Sequence, residues 1–113
     1  MAAWTARERE KIGVDVERVS PRLHRAAGAF VSAEDRAGPV RERTEQLAIW
    51  WCLKEAASKA LGLGLGAGLA ELRCVELEDG MHQVTHASGV NMAGWHFLFE
   101  DFAIAVCGCR TAG

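Results

Sequence analysis

The sequence predicts an α+β domain in which one long helix packs across an antiparallel sheet. Two features carry that prediction. From Leu72 onward apolar residues recur at every second position, and Asp79-Gly80 and Glu100-Asp101 punctuate the runs as hairpin turns. Upstream, Leu47 to Leu61 carries apolar residues on more than one helical face and stops at glycine, the pattern of a largely buried helix. A β-branched run near the N-terminus, Ile12 to Val16, adds one more strand to the same sheet.

With 113 residues the chain is long enough for one core and too short for two. Half of it is hydrophobic (50%) and a quarter is charged (25%), an ordinary balance for a globular protein. A net charge of −2 gives no global attraction to nucleic acid, so electrostatic recognition has to be local. No apolar run approaches the roughly 20 residues that a membrane span needs. Met1 to Lys11 is charged and lacks the apolar core of a signal peptide, so a cytoplasmic location is expected. Cys52, Cys74, Cys107 and Cys109 read as buried thiols in a reducing compartment rather than a disulfide framework. Cys107-x-Cys109 without a second pair is poor evidence for zinc.

Each element can be justified in order. The whole chain, residues 1–113, reads as a single domain whose first ten residues are a polar lead-in. Lys11–Glu17 is the first strand. Pro21 at the first position of a turn predicts a short helix through Ala27, ended by Gly28. Ser32, with Asp35 three residues on, carries a variant of the capping box and predicts the start of another helix. Pro39 opens the main helix, which runs to Leu61, with Trp50 or Trp51 buried against the sheet and Gly62 or Gly64 as the C-cap. Strands Leu72–Glu78 and Met81–His86 flank Asp79-Gly80, and strands Gly94–Phe99 and Phe102–Cys107 follow the 87–91 loop. His82 and His86 read as exposed sheet residues, and Ser88 and His96 assemble no nucleophile constellation.

The chemistry lies in two short segments. In Gly13-Val14-Asp15-Val16-Glu17 the two carboxylates share one face of a strand, about 6.5–7 Å apart. In Trp51-Cys52-Leu53-Lys54-Glu55-Ala56-Ala57-Ser58-Lys59, Trp51, Glu55 and Lys59 share one helix face. Glu55 to Lys59 is also the ordinary spacing of an exposed helical ion pair. Asp15, Glu17 and Glu55 with a lysine one turn on suit a hard divalent cation holding phosphate. The buried setting of Lys54, Glu55, Ser58 and Lys59 demands partners, which a metal and phosphates would supply. Arg18, Arg22, His24 and Arg25 form a basic cluster; a solvated surface is its plain reading, and a docking patch for an acidic partner its functional one.

Together, in this order and at this spacing, the two segments resemble the signatures of the 4′-phosphopantetheinyl transferase superfamily, Gly-x-Asp-x-Glu and Trp-x-x-Lys-Glu-Ala-x-x-Lys. The resemblance spans Ile12 to Cys107 and is nearest to the C-terminal half of the surfactin-synthetase type. Phe30 to Asp35 matches the segment between the motifs, and Trp95 to Val106 the closing strands. The resemblance implies that fold, and transfer of the phosphopantetheine arm of coenzyme A to a serine of an apo acyl or peptidyl carrier protein, releasing adenosine 3′,5′-bisphosphate. By motif position, Asp15, Glu17 and Glu55 would hold Mg²⁺, Lys59 would contact a phosphate, and Glu55 or its water would take the serine proton. Lys54, Gly62 and Gly64 would add coenzyme A contacts, and Arg18, Arg22 and Arg25 would dock the carrier.

The chain also departs from the family's patterns. It is about half the length of the surfactin type, matching the holo-acyl-carrier-protein synthases in size but lacking their Ser-x-Ser-His segment. The remaining wall of the site would then come from a second copy, trimer ahead of dimer and presenting Arg41 or Arg43, or the chain is a domain excised from a larger synthase. A non-catalytic carrier-binding module would be expected to have lost an acidic residue or Lys59, and none is lost. A generic Mg²⁺-dependent phosphohydrolase would want a further ligand cluster.

Overall fold

The computed structural model describes residues 10–64 and 68–110. The order is β1 (Glu10–Arg18), α1 (Leu23–Phe30), α2 (Arg43–Leu61), a 3₁₀ turn (Leu69–Glu71), β2 (Leu72–Glu78), β3 (Met81–His86), β4 (Asn91–Phe99) and β5 (Phe102–Arg110). The strands form one antiparallel sheet in the order β1-β5-β4-β3-β2, with the first strand added beside the last. The expected α+β architecture is present, with α2 lying across one face of this sheet. The polar lead-in before Glu10 lies outside the described residues, as do residues 65–67 of the glycine-rich stretch. Among the described residues no helix is long and apolar enough to cross a membrane.

Small side chains let α2 approach the sheet. Gly13, Cys107, Gly94, His82 and Glu76 are successive cross-strand partners, one row over all five strands. A Cβ at Gly13 would overlap the Ala56 carbonyl oxygen and come within 2.7 Å of the Ala60 nitrogen, so strand and helix touch backbone to backbone there. Cys52, with its Sγ donating to the Asp15 and Ala103 carbonyls at 3.2 and 3.3 Å, stitches α2 to β1 and β5. Leu47, Ile49, Leu53, Phe30, Leu72 and Val84 complete the core, and Trp50 is buried within it.

Several boundaries differ from expectation, each for a local reason. α1 runs through Gly28 to Phe30, because Phe30 is fully buried and Gly28 keeps a helical backbone without strain. Ser32 starts no helix. Asp35 turns back to accept the Ser32 amide at 2.7 Å and that of Cys74 at 2.8 Å, which fixes a tight turn instead. α2 starts at Arg43, four residues after Pro39, with the Glu42 carboxylate capping the Glu45 amide at 3.1 Å. The intervening loop is drawn off by Glu76, which accepts from Gly38 N at 3.0 Å. Gly62 ends α2 in the left-handed region at φ 77°, as a C-cap should. β1 and β4 are each longer than expected.

Candidate functional site

β1 and α2 bring the two sequence motifs together at one edge of the sheet. The Gly13 contact sets their separation, and the alternation of β1 then points Asp15 and Glu17 toward α2 while Val14 and Val16 face outward. Asp15 and Glu55 are buried, and Glu17 is half-buried. Lys59 Nζ donates to Asp15 Oδ1 at 2.9 Å and to the Val14 carbonyl at 3.0 Å. Asp15 Oδ2 is buried without a partner.

The three carboxylates act on one another. Burial raises the Glu17 carboxyl to about 7, the adjacent Asp15 and the Glu55 charge push the same way, and the Trp51 indole N–H opposes them. Lys59 is raised by its bond to Asp15, which holds it as a cation. A divalent cation fits this cluster: it would complete the orphaned Asp15 oxygen and offset the burial and carboxylate neighbours that raise Glu17. The ligand shell is open, however. Among the described residues the trio whose ligand atoms lie within 4.8 Å of one another is Glu76, His82 and His96, not Asp15, Glu17 and Glu55.

That second trio, at the far edge of the sheet, is filled by the protein itself. Glu76 accepts both Arg41 nitrogens at 2.7 Å and the amides of Gly38 and Gly80 at 3.0 and 2.8 Å. All of its lone-pair directions are used, and a guanidinium already stands where a metal would sit. His82 and His96 share a 2.7 Å nitrogen–nitrogen hydrogen bond beneath it. His82 is thus not the exposed sheet residue that alternation suggested; the inner face at this edge is closed by Arg41 and Glu76. His86 is half-buried, bonded to Ser88 at 2.9 Å.

Other expected contacts are redistributed. Lys54 is fully buried and donates to the Phe30 carbonyl at 2.6 Å and to Asp35 at 2.8 Å, so it ties α1 and the following turn to α2. Both of its contacts here are thus to the protein, and its side chain is fully enclosed. Arg18 bonds Asp101 at 3.2 Å and lies over the Phe102 ring, which turns it toward the β4–β5 hairpin and away from Arg22 and Arg25. Those two arginines stay exposed on α1 and, with Glu17, Leu23, Ala26 and Trp51, line a cavity of about 450 Å³. Arg41 is consumed by Glu76 and Asp79, while Arg43 lies over Trp50. Gly62 and Gly64 are exposed just beyond Lys59. The two structural roles that sequence reading missed, those of Lys54 and Glu76, involve partners 19 to 38 residues away, which no local pattern signals.

Comparison with known proteins agrees with this geometry. Among solved structures, a holo-(acyl-carrier-protein) synthase from Bacillus anthracis str. Ames, in complex with CoA (3′,5′-ADP), matches with a TM-score of 0.72 and 21% identity. The match covers 90% of this chain and 96% of that one, and it shows the fold. Comparison with curated proteins gives no match. A family model described as the 4′-phosphopantetheinyl transferase superfamily matches residues 11–107, which include both motifs and all five strands apart from the first residue of β1 and the last three of β5. The chain therefore belongs to the 4′-phosphopantetheinyl transferase superfamily.

Proposed function

We propose that this chain transfers the 4′-phosphopantetheine arm of coenzyme A to a serine hydroxyl of an apo acyl or peptidyl carrier protein, with adenosine 3′,5′-bisphosphate as leaving group. The observation that carries the reading is the edge site itself: Asp15 with an orphaned oxygen, Glu17 and Glu55 beside it, and the Lys59 ammonium 2.9 Å from Asp15. The structural neighbour's bound CoA supports the choice of donor.

Asp15, Glu17 and Glu55 would hold Mg²⁺, which when bound neutralises pyrophosphate charge. Lys59, 40% exposed at its side chain, is placed to turn from Asp15 toward a phosphate and offset the charge that grows on the leaving group. The serine proton passes to Glu55, directly or through one water, provided the carrier brings its hydroxyl within hydrogen-bond reach. Arg22 and Arg25 on α1 offer the carrier's acidic surface a cationic face next to the site. Gly62 and Gly64, free of side-chain bulk, let the donor pass close to the end of α2. The buried thiols of Cys52, Cys74 and Cys107 suit the reducing cytoplasm.

The outer face of the sheet supports assembly. Val14, Val106 and Trp95 form one cross-strand row and Val16, Ile104 and Phe97 the next, with Val14, Val16, Trp95 and Phe97 each at least 40% exposed. A second copy covering these rows would give a homo-oligomer, trimer ahead of dimer, with a neighbour completing the donor site.

Mass spectrometry of an apo carrier protein incubated with coenzyme A, Mg²⁺ and this chain tests the reaction. One added phosphopantetheine per carrier is expected, with none when Mg²⁺ is chelated or Asp15→Asn is used. An unmodified carrier, tried across acyl and peptidyl types, would refute the reading.

A further inference from the structure

α1 carries the cationic face next to the site, with Arg22 at its N-cap and Arg25 one turn on, both exposed. At eight residues it is too short to hold its own shape in water, so its place is set by what it is tied to. Leu23 and Phe30 bury its two ends. Near its start, His24 Nε2 and Thr44 Oγ1 in the first turn of α2 share a 2.7 Å hydrogen bond. At its end, the Phe30 carbonyl accepts from Lys54 Nζ at 2.6 Å.

The Lys54 tie is rigid because its other partner is. Asp35 Oδ2 accepts from Lys54 Nζ at 2.8 Å and from the Ser32 amide at 2.7 Å. Its Oδ1 accepts from the Cys74 amide of β2 at 2.8 Å. Both side chains of the Lys54–Asp35 pair are fully enclosed. Burying two ions carries a large desolvation penalty, and apolar side chains of the same volume often stabilise a fold as well or better. Stability is therefore a weak reason for this pair, and geometry a stronger one. Lys54 also directly precedes Glu55, about 100° round the helix, so one turn of α2 holds the end of α1 and offers a carboxylate to the edge site.

We propose that Lys54 is a positioning residue for the acceptor: clamped by Asp35, it holds the end of α1 so that a carrier docked on Arg22 and Arg25 has its serine at Glu55. This inference rests on the reading of α1 as the carrier face. It moves Lys54 from the coenzyme A contacts that its motif implies to the acceptor side of the reaction. Without the clamp α1 samples several positions, and the apparent affinity for the carrier falls by the fraction of time spent in the competent one.

The test uses the apo carrier protein that the full chain modifies in the mass spectrometry assay, with the KM values for carrier and coenzyme A measured separately. Lys54→Met keeps a side chain of similar length and helix propensity and deletes both hydrogen bonds. The carrier KM should rise about ten-fold, as for a competent fraction of about a tenth, the change falling on that constant and not on kcat or the KM for coenzyme A. A lysine that only stabilised the fold would lower kcat through the folded fraction, whichever substrate is varied. The effect should also shrink when Lys54→Met is combined with Arg22→Gln and Arg25→Gln, because the face that the clamp positions is then gone.

An unchanged carrier KM, a raised KM for coenzyme A, or a fully additive effect in the combined variant overturns the role. If Arg22→Gln with Arg25→Gln leaves the carrier KM unchanged, the docking reading itself fails. If that pair raises it while Lys54→Met does not, only the clamp falls. If no carrier is modified at all, the reaction reading falls and this inference with it. Should Lys54→Met not fold, Thr44→Val decides, because it releases the other tie of α1 at an exposed position. The carrier KM should rise there too, and a wild-type value would overturn the proposal.

Discussion

Burial pushes the His82 imidazole down to about 4, below its ordinary 6.5, and lowers His96 for the same reason. Between those values the unfolded chain binds the extra proton and the folded chain does not. The contribution is therefore complete above pH 6.5 and is lost as pH falls toward and through 4, worth about 3–4 kcal/mol for His82 at about 1.4 kcal/mol per unit. Glu76, held down at about 2 by the Arg41 and amide bonds that outweigh its burial, titrates chiefly below that window, whereas Glu17, raised to about 7, stabilises the fold as pH falls from 7 toward 4.5 and so opposes the histidines. Because Glu17 acts in the opposite sense, the readout is a difference: between pH 7 and pH 4.5 in urea, His82→Phe should lose about 2–3 kcal/mol less stability than the wild type. An equal slope in both would mean that His82 is charged in the fold. Lys54 meets burial with partners instead: its Nζ donates to Asp35 at 2.8 Å and to the Phe30 carbonyl at 2.6 Å.

The β1–α2 contact is what converts two sequence motifs into one site. Gly13→Ala should lower stability by at least about 3 kcal/mol, because the new methyl meets helix backbone rather than a side chain that can move aside. The readout is the urea midpoint, and a wild-type midpoint would show that the two elements can part without cost. The same residue shows how far the sequence could be read. Strand alternation and helical spacing are local, so Asp15, Glu17, Glu55 and Lys59 could be placed on their faces from spacing alone, and the cap of α2 could be narrowed to Gly62 or Gly64, of which the fold uses Gly62. The start of α2 could not, since Pro39 looks like a helix start until Glu76, 38 residues beyond Gly38, claims the Gly38 amide and Arg41. His82 and Lys54 were misread for one shared reason. A polar residue in an amphipathic pattern defaults to solvent or ligand, and only tertiary pairing shows that it has been neutralised inside.

Taken as a molecule, the domain has one covered and one uncovered sheet face. Val16 on β1 and Phe97 on β4, 54% and 56% exposed, lie on the uncovered face on either side of Ile104 in β5. Sedimentation of the purified chain should give an oligomer, and Val16→Lys with Phe97→Glu should give a folded monomer of unchanged circular dichroism. A wild-type monomer that transfers at a normal rate would refute the shared site. The edges of the sheet behave differently from its face. Beyond β2, Arg36 pairs in parallel with Val75, its amide donating to the Cys74 carbonyl at 2.8 Å and its carbonyl accepting from Glu76 at 3.0 Å. Beyond β1, the Val14 carbonyl is capped by Lys59. Strand-on-strand growth is thereby obstructed at both ends of the sheet, so copies that meet must stack face to face. Such contacts run out once the apolar faces are covered, so the expected assembly is small and closed rather than an open-ended filament.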